Sequence, residues 1–502
     1  MSRILSAISA HGRDRPDAIA LSDGENAFSY SALAQEISRA SEKLKSSGAR
    51  MLGLALDNSP AWAVLDLAAI NTGQTLVPLP GFFSSSQLAY AIADAGVEYI
   101  LADRPEYLAL LQIAGVKAIC TSEFKLCGMT CYEIRVEKRA SPAIPSGTAK
   151  ITYTSGTTGQ PKGVCLGLDA MEQVAHSLCA ATLAGSSDRH LCLLPLSTLL
   201  ENIGGIYAPL LAGACSFTLP LNQVGLSGAS ALDVAQMLKA INETQATSVI
   251  MVPQMLHGLV AALRAGAAPP LGMRFIAVGG APVSLQLLEQ AQQLDLPVYE
   301  GYGLSECSSV VAVNTPHANR PGSVGKPLPH AHLSFAEDGE IRVAGAVFSG
   351  YLGQEEKPDA EGFWPTGDTG YLDSDGYLHL TGRKRNMFIT SFGRNVAPEW
   401  VERELAIQPA IAQGAVFGEA RPWNAAIIVP RPLAGAGMQA AVAEAIAAAN
   451  KLLPDYARVT KWIMASEPFT PQNGLLTANG RLRRSEILSR YQAQLNELYK
   501  EM

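Results

Sequence analysis

Residues 153–164 read YTSGTTGQPKGV and continue a β-rich run at residues 149–154. Glycines allow the backbone to fold tightly and to turn successive N–H groups toward an anion. The hydroxyl groups add hydrogen-bond donors and Lys162 adds positive charge, which together are what a polyphosphate needs. The segment is not a Walker A loop, because it lacks the GK[ST] ending and Pro161 precedes the lysine. We predict a phosphate-binding loop after a strand; the alternative is a hairpin or linker rich in glycine, serine and threonine.

Around this loop, short apolar runs alternate with helical patterns through the first 310 residues. The apolar runs include residues 51–56, 75–79, 249–252 and 275–278. Stretches free of glycine and proline, such as residues 86–95 and 284–294, have the pattern of helices between them. Alternation of strand and helix predicts an α/β fold in which largely parallel sheets are covered by helices.

The pattern changes after Arg320, where short strands are separated by Gly and Asp-Gly turns. These strands, at residues 340–343, 371–372 and 377–380, predict a small β-rich subdomain over about residues 320–382. Beyond it we predict another strand at residues 387–390 and helices at residues 399–406 and 438–451. The resulting division is an N-terminal domain, residues 1–382, and a small α+β C-terminal domain, residues 383–502.

Charge is distributed unevenly along the chain. The net charge is −7 over 502 residues, but residues 381–502 carry 15 Lys/Arg against 10 Asp/Glu, so the first 380 carry −12. An acidic body disfavours broad nucleic-acid binding, which needs a basic face. We find neither a signal peptide nor a stretch of about 18 uncharged apolar residues, and the eight cysteines are scattered. These features predict a cytoplasmic protein without a transmembrane segment and leave loose contact with a membrane surface open.

Further motifs extend the pattern of the loop along the chain. They are Gly279-Gly280-Ala281, GYGLSE at residues 301–306, Thr366-Gly367-Asp368, Gly382-Arg383-Lys384-Arg385, NVAPE at residues 395–399, and residues 476–484. With YTSGTTGQPKGV they resemble, in order and over about residues 20–490, the signature motifs of the adenylate-forming superfamily. That superfamily includes acyl-CoA synthetases, nonribosomal-peptide adenylation domains and firefly luciferases. The resemblance implies a large N-terminal domain and a small mobile C-terminal lid.

The resemblance also implies a reaction in two steps. A carboxylate attacks the α-phosphate of ATP to give an acyl-adenylate and pyrophosphate, and a thiol then displaces AMP. The implied phosphate site consists of Thr154, Ser155, Gly156, Thr157, Thr158, Gly159 and Lys162. The implied adenine and ribose sites consist of Gly279, Gly280, Ala281, Tyr302, Gly303, Asp368 and Arg383. Glu306 is implied as the Mg²⁺ ligand beside the hydroxyl of Ser305, and one carboxylate with phosphate oxygens and water is a usual set for Mg²⁺.

Each of these residues has a plainer interpretation when it is taken alone. Tyr302 fits core packing, Asp368 fits a turn and Glu306 fits a surface position at the start of a helix. Their order along the chain, and not any single residue, favours the nucleotide site.

Two positions depart from the usual motifs. Arg481 stands where the superfamily has the lysine that bridges the substrate carboxylate and ATP; arginine keeps the charge but is bulkier and planar. We expect Arg481 to act in adenylation, and Arg483 or Arg484 could take its place. Alternatively, the loss of the lysine weakens the adenylation step. Arg385 stands at the hinge position, about which the resemblance implies rotation of the C-terminal domain.

Residues 193–202, LLPLSTLLEN, open the helix that borders the acyl pocket in the superfamily. Members that activate amino acids carry an aspartate near its start, whereas this chain has Ser197 and Thr198, so a buried ammonium would be unpaired. The residues that follow predict an apolar wall with space near a glycine, and they fit a core helix equally well. They are Leu199, Leu200, Ile203, Gly204 and Tyr207. Residues 388–399 and 473–484 are similar to those of fatty acyl-CoA synthetases, so we expect an apolar, fatty acid.

The leading functional hypothesis is therefore an ATP- and Mg²⁺-dependent ligase that joins a small-molecule carboxylic acid to CoA. A rival of the same class loads the acyl group onto the phosphopantetheine of an acyl carrier protein. Rivals from other classes are a luciferase-like oxidase and a degenerate ATP-binding protein without turnover. The basic C-terminal part fits anionic partners: ATP in one position, and the phosphates of CoA or an acidic carrier protein in the other.

Overall fold

The computed structural model describes residues 2–137, 143–154, 161–227, 231–281, 283–391, 394–431, 437–477 and 480–500. Its α-helices are Arg3–Asp14, Tyr30–Ser47, Pro60–Thr72, Ser85–Ala95, Glu106–Ile113, Leu168–Thr182, Leu199–Glu201, Ala208–Ala212, Val234–Glu243, Pro253–Arg264, Leu285–Gln292, Pro398–Ala406, Met438–Lys451 and Arg484–Leu498. A π-helical segment, Asn202–Tyr207, joins two of the short helices, and 3-10 turns are formed by Leu221–Val224, Ser305–Cys307 and Asp455–Ala457.

The first large sheet has nine strands. In spatial order they are Lys326–Pro327, Ser309–Val313, Val298–Leu304, Phe275–Val278, Ser248–Met251, Arg189–Leu191, Cys215–Phe217, Ile19–Ser22 and Ala27–Ser29. The strands from Val298–Leu304 to Ile19–Ser22 pair in parallel, and the pairs at both margins are antiparallel. Helical crossovers between parallel strands cover the sheet, as the alternation of apolar runs and helical patterns predicted.

The second large sheet has eight strands. In spatial order they are Gly350–Tyr351, Lys162–Gly167, Thr148–Thr154, Thr75–Pro78, Met51–Ala55, Tyr99–Ala102, Met129–Val136 and Ala118–Leu126. Its centre is parallel, but Thr148–Thr154 pairs with Lys162–Gly167 as an antiparallel hairpin. The predicted phosphate loop therefore connects the two strands of this hairpin along the chain.

Smaller sheets follow along the chain. A four-stranded antiparallel sheet consists of Ala331–Phe335, Glu340–Gly345, Trp364–Leu372 and Leu378–Arg383. The C-terminal part contains a three-stranded sheet of Ile411–Phe417, Asn424–Pro430 and Val459–Met464. Two-stranded ladders join Leu226–Ser227 to Ala231–Leu232 and Phe388–Ile389 to Asn395–Val396. The predicted fold class, an α/β body followed by a β-rich part and a small α+β lid, is confirmed.

The core explains why the apolar runs form these strands. Met51–Ala55 is buried along its whole length, as expected for a parallel strand covered on both faces. The neighbouring helix Pro60–Thr72 begins at a Ser59 cap, has proline at its first turn and ends at Gly73, whose φ of 72° suits glycine. Among the described residues, no helix is long and apolar enough to cross a membrane.

Candidate functional site

A cleft of about 2290 Å³ is lined by residues of both the N-terminal and the C-terminal parts. It gathers nearly all of the described residues that the sequence predicted for the site. These are Thr154, Lys162, Leu199, Leu200, Gly204, Gly279, Gly280, Ala281, Tyr302, Gly303, Ser305, Glu306, Asp368, Arg383, Arg385 and Arg481. The loop residues Ser155, Gly156, Thr157, Thr158 and Gly159 lie outside the described part of the chain.

The hairpin that carries the phosphate loop also positions Lys162. Thr154 and Lys162 face each other across the two strands at the end of the hairpin. The ammonium of Lys162 lies 3.1 Å from Glu356 Oε2 and 4.5 Å from the centre of the Tyr351 ring. Its charge is thus held at the mouth of the loop by a partly exposed carboxylate, which an incoming phosphate can replace.

Glu306 lies on the 3-10 turn Ser305–Cys307, which follows directly after the strand Val298–Leu304. The hydroxyl of Tyr351 donates a 2.7 Å hydrogen bond to Glu306 Oε1. Burial, and next the neighbouring carboxylate, raise the pKa of Tyr351 well above its ordinary value, so Tyr351 remains a donor at neutral pH. Because Tyr351 also faces Lys162, it joins the predicted metal ligand to the lysine predicted to bind phosphate.

Asp368 is the most firmly held of the predicted nucleotide residues. Its Oδ2 accepts a 2.8 Å hydrogen bond from the Tyr302 hydroxyl, and its Oδ1 pairs with Arg383 Nε at 2.7 Å. Burial, and next the Asp368 carboxylate, raise the pKa of Tyr302 far above its ordinary value. The three side chains form a fixed acceptor in the cleft that the Gly279–Ala281 turn also lines, where two ribose hydroxyls can be bound.

Arg481 crosses from the C-terminal part to the N-terminal part. Its Nη2 donates a 3.2 Å hydrogen bond to the carbonyl oxygen of Gly280, in the predicted adenine turn. Arg483 instead binds the Gly474 carbonyl, and Arg484 binds Glu402, both inside the C-terminal part. All three arginines line the cleft, but only Arg481 has a hydrogen bond to the N-terminal part among the described residues, whereas its two predicted substitutes bond within the C-terminal part.

The predicted hinge residue, Arg385, also lines this cleft. Burial, and next the positive charge of Arg383, lower the pKa of Arg385, while Asp368 and Glu399 favour its charged form.

The predicted acid pocket is only partly formed by the residues expected. Leu199, Leu200 and Gly204 line the cleft, but Ile203 and Tyr207 are fully buried away from it, so we do not keep them as pocket residues. The cause is the π-helical form of Asn202–Tyr207, whose i→i+5 hydrogen bonds rotate the stripe that an α-helix would present. A side-chain carbon on Gly204 would lie 2.7 Å from Ile250 Cδ1, so Ile250 packs on bare backbone at this point of the wall.

One acidic residue near this pocket, Asp188, is already paired. Arg274 donates to both of its carboxylate oxygens, with Nε and Nη2 each at 2.5 Å. Asp188 is consequently unsuited to receive a substrate ammonium without losing its guanidinium partner.

Several residues that sequence reasoning missed are prominent here. Tyr351 and Glu356 belong to no motif and reach Lys162 because Gly350–Tyr351 pairs with the phosphate-loop hairpin. Lys150, in the β-rich run before the loop, is buried against Asp66 at 2.8 Å, and neither has a neighbouring charge in sequence that signals the pair.

A second buried cluster contains potential metal ligands. The ligand atoms of His190, Cys192 and Glu201 lie within 4.8 Å of one another. Glu201 already accepts a hydrogen bond from the Leu194 amide at 3.0 Å and contacts His190 Nε2 at 3.1 Å. These bonds account for the cluster as part of the folded core.

Comparisons with known proteins agree with this geometry. A model of the AMP-binding enzyme family matches residues 8–352, and a model of the AMP-binding enzyme C-terminal domain matches residues 386–502. The long-chain-fatty-acid–CoA ligase FadD15 of Mycobacterium bovis is 26% identical over 87% of this chain and 86% of that ligase. The 2-succinylbenzoate–CoA ligase of Bacillus subtilis is 29% identical over 82% of this chain and 84% of its own. The crystal structure of the anthranilate CoA ligase AuaEII with anthranoyl-AMP is similar in fold, with a TM-score of 0.81, 18% identity, and coverage of 98% of this chain and 97% of that one.

Proposed function

Because the chain belongs to the AMP-binding enzyme family, we propose that it activates an apolar carboxylic acid with ATP and transfers the acyl group to CoA. It is an AMP-forming enzyme of the acyl-CoA synthetase type. The observation that carries the proposal is the convergence, in one cleft, of the Asp368 acceptor, Lys162, Glu306 and Arg481.

The nucleotide half of the proposal follows from the chemistry of these side chains. Asp368, fixed by Tyr302 and Arg383, accepts hydrogen bonds from the ribose hydroxyls. Lys162, at the end of the phosphate-loop hairpin, neutralises charge on the β- and γ-phosphates and accompanies pyrophosphate as it leaves. Positioning and charge neutralisation are the main contributions a protein makes to reactions at phosphorus.

The donor set around Glu306 fits Mg²⁺. The Glu306 carboxylate lines the cleft beside the Ser305 hydroxyl, and oxygen donors of this kind are those Mg²⁺ prefers. Glu306 would hold the ion with the help of phosphate oxygens, and the bound ion supplies positive charge against the phosphates. Tyr351 fixes one oxygen of Glu306, and the other, which has no hydrogen bond from any described residue, would act as ligand.

Arg481 is proposed to hold the attacking carboxylate against the nucleotide. It is the residue of its segment that reaches the N-terminal part, and its guanidinium can bind a carboxylate and a phosphate oxygen at once. For thiol transfer the C-terminal part would rotate about Arg385 and withdraw Arg481, with the division between residues 1–382 and 383–502 as the boundary of the moving body.

The acid is proposed to be apolar and fatty. Leu199, Leu200 and Gly204 give the cleft an aliphatic wall, and Asp188 is taken by Arg274. Relatives of this chain act, by their names, on long-chain fatty acids and on 2-succinylbenzoate, so chain length and the tolerance for rings are what the substrate screen must decide.

The proposal is tested by ATP–pyrophosphate exchange with purified protein and a panel of straight-chain fatty, aryl and amino acids. We expect exchange that depends on an apolar acid and on Mg²⁺, and release of AMP when free CoA is added. Exchange with no acid in the panel would contradict the proposal. If exchange occurs but AMP is released only with a holo carrier protein and not with free CoA, the acceptor is the carrier protein. Glu306→Gln should abolish most of the Mg²⁺-dependent exchange. The control variant Glu355→Gln, which changes an exposed glutamate outside the cleft lining, should retain it.

A further inference from the structure

The wall of the proposed acid pocket contains a π-helical segment, Asn202–Tyr207, inserted between the α-helices Leu199–Glu201 and Ala208–Ala212. Single π-helical turns inside α-helices are rare overall, and those that occur are often found at functional sites. Gly204, at the middle of this segment, lines the cleft and packs against Ile250, which lines it too.

A buried polar network binds the first and the last residue of the π-helical segment. The Lys150 ammonium pairs with Asp66 Oδ1 at 2.8 Å, donates to the Tyr207 hydroxyl at 3.0 Å and donates to Asn202 Oδ1. Asp66 Oδ2 accepts from the Tyr207 hydroxyl at 2.6 Å and from Asn202 Nδ2 at 2.9 Å. The Lys150 ammonium thus donates to both ends of the segment, and its charge is balanced by Asp66 at ion-pair distance.

Further hydrogen bonds hold the residue just before the segment and one residue inside it. Glu201, the residue before the segment, is bound by His190 and by the Leu194 amide. The Ser216 hydroxyl donates a 2.7 Å hydrogen bond to the carbonyl of Gly205, which lies inside the segment. A side-chain carbon at Gly205 would lie 2.3 Å from Glu201 Oε1, so glycine is required for this packing.

We propose that Lys150 and Asp66 are positioning residues that fix the π-helical turn and thereby set the width of the acid pocket at Gly204. Neither residue lines the cleft; each acts through Asn202 and Tyr207. This inference rests on the proposed function, since it assigns selectivity among acids to the same pocket.

The packing of Gly204 against Ile250 gives the direction of the effect. A single added carbon at Gly204 would lie 2.7 Å from Ile250 Cδ1, and both residues line the cleft, so we expect a released turn to shift toward Ile250 and to displace its side chain into the cleft. Releasing the turn therefore narrows the pocket and penalises wide acids more than slender ones. One methylene group in an apolar pocket changes relative rates by about 10- to 200-fold, so a change of about tenfold is expected.

The test compares two acids in ATP–pyrophosphate exchange: the straight-chain acid with the fastest exchange and its ω-phenyl analogue of equal length. The variant Lys150→Met/Asp66→Leu removes both charges together and avoids an unpaired buried charge. We expect the kcat/KM ratio of slender to wide acid to rise about tenfold, mainly through KM. Tyr207→Phe, which removes one hydroxyl of the network, should move the ratio in the same direction.

A matched control is Tyr491→Phe, which removes a buried hydroxyl that contacts Ser466 Oγ at 3.0 Å in the C-terminal part. It should leave the ratio unchanged. Equal loss of exchange with both acids in the Lys150→Met/Asp66→Leu and Tyr207→Phe variants, or no change in either, would overturn the inference. If the unmodified protein exchanges with no acid, the proposed function fails instead, so the two failures are distinguishable.

Discussion

Lys150→Met is expected to destabilise the protein strongly, because it leaves the Asp66 carboxylate buried without its counter-ion. The side chains of Lys150 and Asp66 are 2% and 1% exposed, so water does not replace the lost partner. Removing one partner of such a pair costs about 3–5 kcal/mol, out of a typical free energy of unfolding of about 5–15 kcal/mol. Asp66 keeps its hydrogen bonds from Tyr207 and Asn202, which places the expected loss near ~3 kcal/mol.

This loss is measurable by thermal and urea denaturation. With about 2–4 °C per kcal/mol in domains of about 150–250 residues, Tm should fall by roughly 6 °C or more. Trp62 provides a local signal, since its ring lies 5.9 Å from the Lys150 ammonium. Lys150→Met/Asp66→Leu should recover most of the loss, because a buried ion pair replaced by apolar groups is often neutral in stability. A single variant as stable as the unmodified protein would refute the reasoning.

Three further results are expected. Glu300→Gln should change the pH dependence of stability, because burial raises the pKa of Glu300 from 4.5 to about 7. The contribution of the protonated Glu300 to the free energy of unfolding is fully present below about pH 4.5 and is lost as the pH rises through 7. The loss amounts to about 3 kcal/mol at most, and the Tm difference between pH 5 and pH 8 should shrink in the variant. Asp368→Ala should raise the KM for ATP at least about tenfold while the KM for the acid changes little, as steady-state exchange kinetics would reveal; an unchanged KM for ATP would remove Asp368 from the ribose site. Gly204→Ala should reproduce the narrowing of the pocket directly, with wide acids losing more kcat/KM than slender acids, and equal losses would show that Ile250 does not move into the cleft.

The sequence predicted the parts of this protein that depend on local pattern. Apolar runs form strands such as Met51–Ala55, which is fully buried, and Phe275–Val278, which is buried at all but one position, because parallel strands covered on both faces need continuous apolar residues. The motif residues Tyr302 and Asp368 stand 66 positions apart, and their order within a known set of motifs was enough to expect them in one site. The structure adds the hydrogen bond that joins them.

Other parts could not be predicted, because they depend on tertiary contacts. Ile203 and Tyr207 share an α-helical stripe with Leu199 and Leu200, but the π-helical turn rotates them into the core. That turn depends on Lys150, which is 52 positions from Asn202. A lone lysine in an apolar run carries no sign of such a partner, so no periodicity could have revealed the network.

We propose that this cleft forms an acyl-adenylate with Arg481 in the place of the usual lysine. The most direct measurement is acid-dependent ATP–pyrophosphate exchange by the unmodified protein, Arg481→Ala, Arg481→Lys and the charge-matched control Arg483→Ala. Loss of a donor that acts on developing charge costs about 10²- to 10³-fold in kcat. The account predicts a loss of that size in Arg481→Ala, substantial exchange in Arg481→Lys, and near-normal exchange in Arg483→Ala, whose guanidinium binds the Gly474 carbonyl. Full exchange in Arg481→Ala would contradict it.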